Sequence, residues 1–167
     1  IKYKFIGNIS HLLELKKKKQ YNIYIAIGDS KMRRKVHGQL KHFDFNFPTL
    51  ICPTAILSDD CKIGKGSFIN SGCIINTNVS IGMFSIINTG SIIDHESKVG
   101  NFSQICPGVK VSGQVKIGND SFIGTGTTIN NCLTLSSNLI IGSGSVITSS
   151  LLNTGTAVGI PCKYIKK

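Results

Sequence analysis

One histidine and the glutamate that follows it are the strongest candidates for chemistry in this sequence. They occupy the segment Ile93-Asp94-His95-Glu96-Ser97, and His95 is the only histidine between residues 51 and 167. A carboxylate beside an imidazole orients the ring and stabilises its protonated form, which is what a general base requires. The same two residues also suit an ordinary solvated surface, so the sequence predicts a base here and leaves a surface pair as the alternative.

A glycine 18 residues after His95 is the second candidate. If the chain repeats every 18 residues, Gly113 stacks directly on His95. A residue without a side chain leaves room for an acyl group, and its backbone N–H can hold a developing oxyanion. Relief of a tight corner is the competing explanation for Gly113, and both remain open.

The element that would position these residues is a hexapeptide repeat. From residue 51 onwards every sixth residue is Ile, Leu or Val, which neither a helical period of 3.6 nor a strand period of 2 explains. The seventeen positions are Ile51, Leu57, Ile63, Ile69, Ile75, Ile81, Ile87, Ile93, Val99, Ile105, Val111, Ile117, Ile123, Ile129, Leu135, Ile141 and Ile147.

Small residues and glycines extend this repeat into coils. The fourth residue after each aliphatic position is usually small, as at Cys61, Cys73 and Ser85. This alternation predicts a triangular coil of three short strands, and the seventeen hexapeptides give between five and six coils. The glycines at 64, 82, 100 and 118 are 18 residues apart. We expect them to occupy stacked corners at positive φ.

The first fifty residues follow a different pattern. They predict a helix from His11 to Lys19 capped by Ser10, a strand over Tyr21–Ile27, a helix from Lys31 to about Lys41 and a short strand over Phe43–Phe47. This order indicates part of a small α/β domain with a parallel sheet. Gly28-Asp29 at the strand end is either a weak phosphate loop or an ordinary turn.

Composition excludes several classes of function. Residues 1–50 carry eleven Lys and Arg against three acids, which suits an anionic ligand, whereas the aromatic stacking platforms of nucleic-acid binders are missing. The six cysteines form no CxxC pair, and one histidine in the repeat region is too few for a metal site. No apolar run is long enough for a membrane helix. We therefore expect a cytoplasmic protein with reduced thiols, no metal and no nucleic-acid or membrane partner.

Several segments resemble one family of enzymes. They are Ala26-Ile27-Gly28-Asp29 with Arg34, Ile87-Asn88-Thr89-Gly90, Asp94-His95-Glu96, Val99-Gly100-Asn101-Phe102, Pro107-Gly108 with Gly113, and Val158-Gly159-Ile160-Pro161-Cys162-Lys163. This pattern is similar to that of the hexapeptide-repeat sialic-acid O-acetyltransferases and nucleotide-amino-sugar N-acetyltransferases. The resemblance implies a left-handed parallel β-helix, a homotrimer with active sites between subunits, and acetyl-CoA as co-substrate.

The resemblance also implies roles for individual residues. His95 would be the base, assisted by Glu96, and Asn88, Gly28 and Asp29 would lie on the acceptor side. Asn88 has an equally good structural explanation, because Asn recurs at the same position of other hexapeptides. The residues implied in oxyanion and CoA binding are Gly113, Thr125, Gln104, Gly142, Pro161 and Lys163. Relatives often carry a second histidine where this chain has Gln104, which could weaken the CoA contact or tune the site.

We therefore predict an acetyl-CoA-dependent acetyltransferase that acts on the amino group of a nucleotide-linked amino sugar. The alternatives are O-acetylation of a sialic acid and a non-catalytic trimeric scaffold. We expect an acceptor-side α/β part over 1–49, the β-helix over 50–152 and a C-terminal cap over 153–167. Relatives place a glycine-rich strand and an acidic loop ahead of the residues present here. Either the start is truncated or the acceptor is held differently.

Overall fold

The computed structural model describes residues 4–5, 7–15 and 21–165. From residue 50 the chain winds as a parallel β-helix with three faces, each of them a sheet. The first face contains β1 Leu50–Ile51, β4 Phe68–Ile69, β7 Ile86–Ile87, β10 Gln104–Ile105, β13 Phe122–Ile123, β16 Leu139–Ile141, β18 Gly155–Val158 and β19 Lys163–Tyr164. The second face contains β2 Ile56–Leu57, β5 Ile74–Ile75, β8 Ile92–Ile93, β11 Lys110–Val111, β14 Thr128–Ile129 and β17 Val146–Ile147. The third face contains β3 Lys62–Ile63, β6 Ser80–Ile81, β9 Lys98–Val99, β12 Lys116–Ile117 and β15 Thr134–Leu135.

The register confirms the 18-residue coil. Within the β-helix, each strand pairs in parallel with the strand one coil away, as Leu50 does with Phe68 and Gln104 with Phe122. Three sets of turns join the faces. We call those between the first and second faces corner 1, those between the second and third corner 2, and those between the third and first corner 3. His95 lies in corner 2, because it follows β8.

The three faces of the β-helix form a triangular prism, and the predicted aliphatic series forms its core. Every member from Ile69 to Ile147 is at most 4% exposed. Ile51 differs and is 47% exposed, while Leu57 and Ile63 are only partly buried. These three belong to the first coil, and the described residues place no coil beneath it.

The small residues between the aliphatic positions do more than save space. The buried hydroxyl of Ser85 donates to the carbonyl of Gly100 at 2.7 Å and accepts from the N–H of Ser103 at 3.2 Å. Ser103 repeats the arrangement with Gly118 and Ser121 at 2.8 and 3.1 Å. Serine is therefore favoured at this position, because its hydroxyl forms hydrogen bonds with backbone groups of the corner. Without those bonds the backbone groups would be buried and unpaired.

The glycine column at 64, 82, 100 and 118 corrects one prediction. These glycines do not have positive φ. They are required because the next coil is too close for a side chain: a Cβ at Gly64 would lie 2.5 Å from the backbone nitrogen of Met83. Positive φ falls two positions after each of these glycines, at Gly66 and at the non-glycine residues Phe84, Phe102 and Asp120.

The two helices precede the prism. α1 runs over Ile9–Glu14 and α2 over Ser30–Leu40. The predicted position of α2 is confirmed within one residue. The prediction for α1 was wrong at both ends, because the side chain of Asn8 rather than Ser10 caps the helix, accepting from His11 N–H at 3.1 Å, and the helix ends at Glu14. Residues 16–20, where the predicted helix was to continue, lie outside the described residues.

The predicted parallel sheet before the prism is reduced to one bridge. Among the described residues, Tyr21–Ile27 and Phe43–Phe47 pair only through the parallel bridge of Asn22 with Asn46. The extended segment packs against the first face instead, where the rings of Tyr24 and Phe68 meet edge to face with centroids 5.8 Å apart. Packing on the prism thus takes the place of a second strand ladder.

A buried arginine joins the α/β part to the prism. Arg33 is 1% exposed, and its guanidinium donates to the carbonyls of Phe84 at 2.7 Å and Phe102 at 2.8 Å in corner 3. It also donates to the carbonyls of Ile27 at 2.7 Å and Gly28 at 2.8 Å. Burial lowers the pKa of this arginine. Four carbonyl partners fix the loop after residue 27 to the β-helix.

The C-terminal segment completes the first face. β18 pairs in parallel with β16, and β19 pairs antiparallel with β18.

In the described part of the chain, no helix is long and apolar enough to cross a membrane.

Candidate active site

The candidate base stands at an exposed turn of corner 2. The side chains of His95 and Glu96 are 49% and 52% exposed, and His95 Nδ1 lies 3.2 Å from Glu96 Oε2. The turn itself is held by Asp94, which accepts from His95 N–H at 2.8 Å and from Asn76 Nδ2 at 2.7 Å. Nδ1 is therefore occupied by the carboxylate, and Nε2 is the nitrogen left to exchange a proton with a substrate.

Gly113 lies directly against the imidazole. A Cβ on this residue would overlap His95 Nε2 and Cε1. Among the residues that the structure describes, the Gly113 N–H donates no hydrogen bond. At the corresponding turns, Asn88 and Asp94 cap the next N–H with their side chains, whereas Ser112 makes no such bond. The N–H of Gly113 and the Nε2 of His95 thus lie close to each other on adjacent coils.

The carboxylate of Glu96 has a second partner. Gln114 Nε2 donates to Glu96 Oε2 at 2.9 Å, the same oxygen that receives His95 Nδ1. The bond from Gln114, and then the bond from His95, lowers the pKa of Glu96 below its ordinary value. Glu96 is consequently held as an anion beside the ring.

An open groove of about 520 Å³ runs along the third face beside this corner. Its lining includes Glu96, Gln114, Lys98 and Lys116. The two lysines are register partners on β9 and β12, so two positive charges stand one strand apart. Such a like-charge pair is unfavourable by itself and is relieved by an anion.

The acceptor-side candidates form a separate group on the first face. Two of them, Gly28 and Asp29, line a cavity of about 450 Å³ together with Gln104, which was predicted as a CoA contact. Gln104 Oε1 is the nearest atom to a Cβ built on Gly28, at 3.8 Å. Asp29 is the N-cap of α2, accepting from Met32 N–H at 2.7 Å. One of its carboxylate oxygens therefore has a structural task that the sequence interpretation did not assign.

Asn88 lies in corner 1 next to this group. It shares a shallower pocket with Gly28 and Gln104. Its side-chain oxygen accepts from Asn70 Nδ2 and from Thr89 N–H, both at 2.9 Å. The turn role that the sequence left open is thus present, and it leaves the Asn88 amide hydrogens for another partner.

The remaining CoA candidates follow corner 1 towards the C-terminal segment. Thr125, Pro161 and Lys163 are exposed. Gly142 is packed, since a Cβ there would lie 2.6 Å from Val158 Cγ1. Its lack of a side chain is accounted for by the tail strand β18 rather than by an open ligand surface.

Within one chain the two groups stay apart. His95, Glu96 and Gly113 belong to corner 2, whereas Asn88 and Thr125 belong to corner 1, and the whole second face separates them.

Sequence reasoning missed one residue of corner 2, Gln114. Its signal was present in the 18-residue spacing from Glu96. The described residues contain no group of three or more His, Cys, Asp or Glu side chains that could hold a metal ion.

Comparison with known proteins identifies the family. The profile of the bacterial transferase hexapeptide (six repeats) matches residues 96–131. The acetyltransferase domain of PglB from Neisseria gonorrhoeae FA1090 is 30% identical and superposes with a TM-score of 0.92, over 96% of this chain and 78% of that one. The chain belongs to the hexapeptide-repeat sugar acetyltransferases.

Two further solved structures are similar to this chain. A mutant of perosamine N-acetyltransferase from Caulobacter crescentus, in complex with CoA and GDP-perosamine, is 29% identical with a TM-score of 0.85, over 87% of this chain and 70% of that one. WeeI from Acinetobacter baumannii AYE is 28% identical with a TM-score of 0.82, over 86% and 70%. No curated protein sequence matches this chain.

Family membership confirms three predictions. The protein is a sugar acetyltransferase, acetyl-CoA is its co-substrate, and its β-helix is left-handed. The predicted fold class is confirmed. The roles of the individual site residues stay predictions.

Proposed function

We propose that this acetyltransferase transfers the acetyl group of acetyl-CoA to the amino group of a nucleotide-linked amino sugar, with His95 as general base. The observation that carries the proposal is the arrangement in corner 2. An imidazole held through Nδ1 by Glu96 at 3.2 Å presents Nε2 beside the free N–H of Gly113.

The chemistry needs two tasks that these residues can perform. His95 Nε2 accepts a proton from the acceptor amine as the amine nitrogen bonds to the thioester carbon. The Gly113 N–H holds the oxyanion that forms on the carbonyl oxygen. The imidazolium, stabilised by Glu96, then returns its proton to the departing thiolate, so that the C–S bond breaks and CoA leaves as a thiol.

The choice of an amino-sugar acceptor rests on the relatives and on charge. The C. crescentus enzyme is a perosamine N-acetyltransferase in complex with GDP-perosamine. The cavity on the first face includes Lys31 and the N-terminal residue of α2, Ser30. It also includes two carboxylates, of which Asp29 caps α2 and Asp120 is paired with Arg34. A helix N-terminus and a lysine both favour an anion such as a diphosphate. This supports Gly28 and its neighbours as the acceptor side.

A homotrimer would bring the two groups together. The second face, which separates them, carries the outward side chains Ile56, Ile74 and Ile92, and Ile56 is 65% exposed. In a closed three-fold arrangement with the second faces towards the axis, corner 2 of each subunit lies beside corner 1 of the next. His95 would then face the Asn88 side of a neighbouring subunit.

A panel of acceptors tests this function. Free-thiol release from acetyl-CoA would be followed with GDP- and UDP-linked amino sugars, with sialic acids, and with the matching sugars that lack the amine. The proposal predicts release only with a nucleotide-linked amino sugar, and a product that resists hydroxylamine because it is an amide. Release with a hydroxyl acceptor, giving a hydroxylamine-sensitive ester, would establish O-acetylation instead. No release with any acceptor would contradict the proposal.

A further inference from the structure

A chain of three hydrogen bonds leads to the candidate base from two coils away. Cys132 Sγ donates to Gln114 Oε1 at 3.2 Å, Gln114 Nε2 donates to Glu96 Oε2 at 2.9 Å, and Glu96 Oε2 lies 3.2 Å from His95 Nδ1. Glu96, Gln114 and Cys132 share one position of corner 2 in consecutive coils, with φ of 59°, 60° and 60°. Their side chains therefore leave the backbone in the same direction, one above the other.

We propose that Gln114 is a positioning residue that holds the Glu96 carboxylate on His95, and that Cys132 sets the direction of the Gln114 amide. This inference rests on the proposed function. Glu96 is 52% exposed, and an exposed glutamate with one weak partner samples several rotamers. Gln114 supplies the second anchor, and it is itself tied to the base because its N–H donates to the carbonyl of His95 at 2.9 Å.

The position of the amide also decides where the proton resides. Because Gln114 and His95 donate to the same oxygen, that oxygen is a poorer proton acceptor than a free carboxylate would be. The bond from Gln114 is the first cause that lowers the pKa of Glu96. The proton taken up by the imidazole thus stays on the ring, from which it can return to the thiolate, and does not pass to Glu96.

Cys132 resolves the two possible orientations of the amide. A glutamine side chain has a donor end and an acceptor end. If the amide turned over, Gln114 Oε1 would face the negative Glu96 oxygen. The thiol hydrogen of Cys132 pairs with Oε1 and keeps the NH₂ group towards Glu96. Asn131 Nδ2 in turn lies 3.5 Å from Cys132 Sγ.

The sequence offers a clean probe for this arrangement that does not depend on turnover. The chain contains two glutamates, Glu14 and Glu96, so selective carboxyl ¹³C labelling of glutamate gives two signals. A Glu14→Gln variant assigns them. In Gln114→Ala the pKa of Glu96 should rise, because its principal donor is gone. An unchanged Glu96 titration would overturn the proposal even if the enzyme showed no acetyl transfer.

Steady-state kinetics of the full-length protein provide the second measurement. Gln114→Ala should lower kcat about tenfold while KM for acetyl-CoA changes less than about twofold. Asn78→Ala is the matched control, because Asn78 occupies the same corner position one coil before Glu96, with φ of 56°. It should leave both parameters unchanged.

The thiol is tested by its conservative replacement. Cys132→Ala should lose part of the kcat, and Cys132→Ser, which keeps a donor, should retain it. A Gln114→Ala enzyme with wild-type kcat would contradict the positioning role. Equal losses in Gln114→Ala and Asn78→Ala would also contradict it, because they would reflect corner strain alone. Absence of thiol release in the wild type would instead contradict the proposed function.

Discussion

The imidazole of His95 and the α-carbon of Gly113 are in contact across adjacent coils, so closely that any Cβ at residue 113 would overlap Nε2. The contact follows from the 18-residue register, which pairs β8 with β11. It places Gly113, the only glycine of corner 2, next to Nε2 of His95, which is the nitrogen of the proposed base.

Replacement of Gly113 by alanine should therefore remove activity and spare the fold. The His95 ring is half exposed and can turn out into solvent to make room for the methyl group, which breaks its bond to Glu96. We expect kcat to fall by a factor of about one hundred or more, with little change in Tm. Gly38→Ala is the control, since nothing lies within 4 Å of a Cβ at that helical position. A fully active Gly113→Ala enzyme would contradict the assigned contact.

The arginine pair of α2 offers a matched test of stability. Arg33→Met leaves four carbonyls without their buried donor and should cost roughly 3 kcal/mol or more in the free energy of unfolding. Arg34 forms an ion pair with Asp120 at 2.5 Å and is 48% exposed, so Arg34→Met should cost about 1 kcal/mol or less. Urea unfolding at one fixed protein concentration measures both. Equal losses would show that Arg33 does not anchor the α/β part.

Protonation of His37 should weaken the protein in acid. Burial, followed by the charges of Lys65, Lys41 and Arg34, lowers the pKa of His37 below 6.5, and its ring packs on Phe84 with centroids 4.2 Å apart. The unfolded chain therefore binds this proton more tightly than the folded chain does.

The stability associated with neutral His37 is complete above pH 6.5, the ordinary value for histidine. It is lost as pH falls from there to the lower folded value. Melting temperatures between pH 8 and pH 5 should fall less for His37→Gln than for the wild type. Parallel curves would mean that His37 titrates alike in both states.

A site shared between subunits should allow complementation. His95→Ala and Asn88→Ala subunits would each be inactive alone, yet a mixed trimer contains some junctions where an intact corner 2 meets an intact corner 1. With random mixing of equal amounts, one half times one half, or about a quarter, of the junctions are intact. Co-expressed and co-purified subunits should thus recover about that share of wild-type thiol release. No recovery would place the whole site within one chain.

The fold was predictable because its signal repeats. Ile69, Ile87 and Ile105 each occupy the same environment one coil apart, so the period of six and the period of 18 fix the strands and their register together. The N-terminal part has no such redundancy. Tyr21–Ile27 alternates like a strand, but its partner surface is Phe68 of the prism, and that is a tertiary contact which a local pattern does not contain.

The candidate site was predictable only in part for the same reason. His95, Glu96 and Gly113 are linked by local sequence and by the register, and the structure places them together. The role of Gln114 required the rotamer of a side chain one coil away. Arg33 looked like one more charge in a basic segment, because nothing local distinguishes it from Arg34. The prediction that the glycines at 64 and 82 occupy stacked corners was correct, but the reason given for them, a positive φ, was wrong. Both a close neighbouring backbone and a positive φ favour glycine, so the sequence alone does not distinguish them.

In the proposed mechanism His95 removes the proton of the acceptor during acetyl transfer. Its most direct test is the rate of thiol release from acetyl-CoA with the accepted sugar, measured for the wild type and for His95→Ala, with acetyl-CoA affinity determined separately for both. With His95 as the base, kcat should fall about a hundredfold or more in His95→Ala, while the affinity for acetyl-CoA stays unchanged. A His95→Ala enzyme that turns over at the wild-type rate would contradict it.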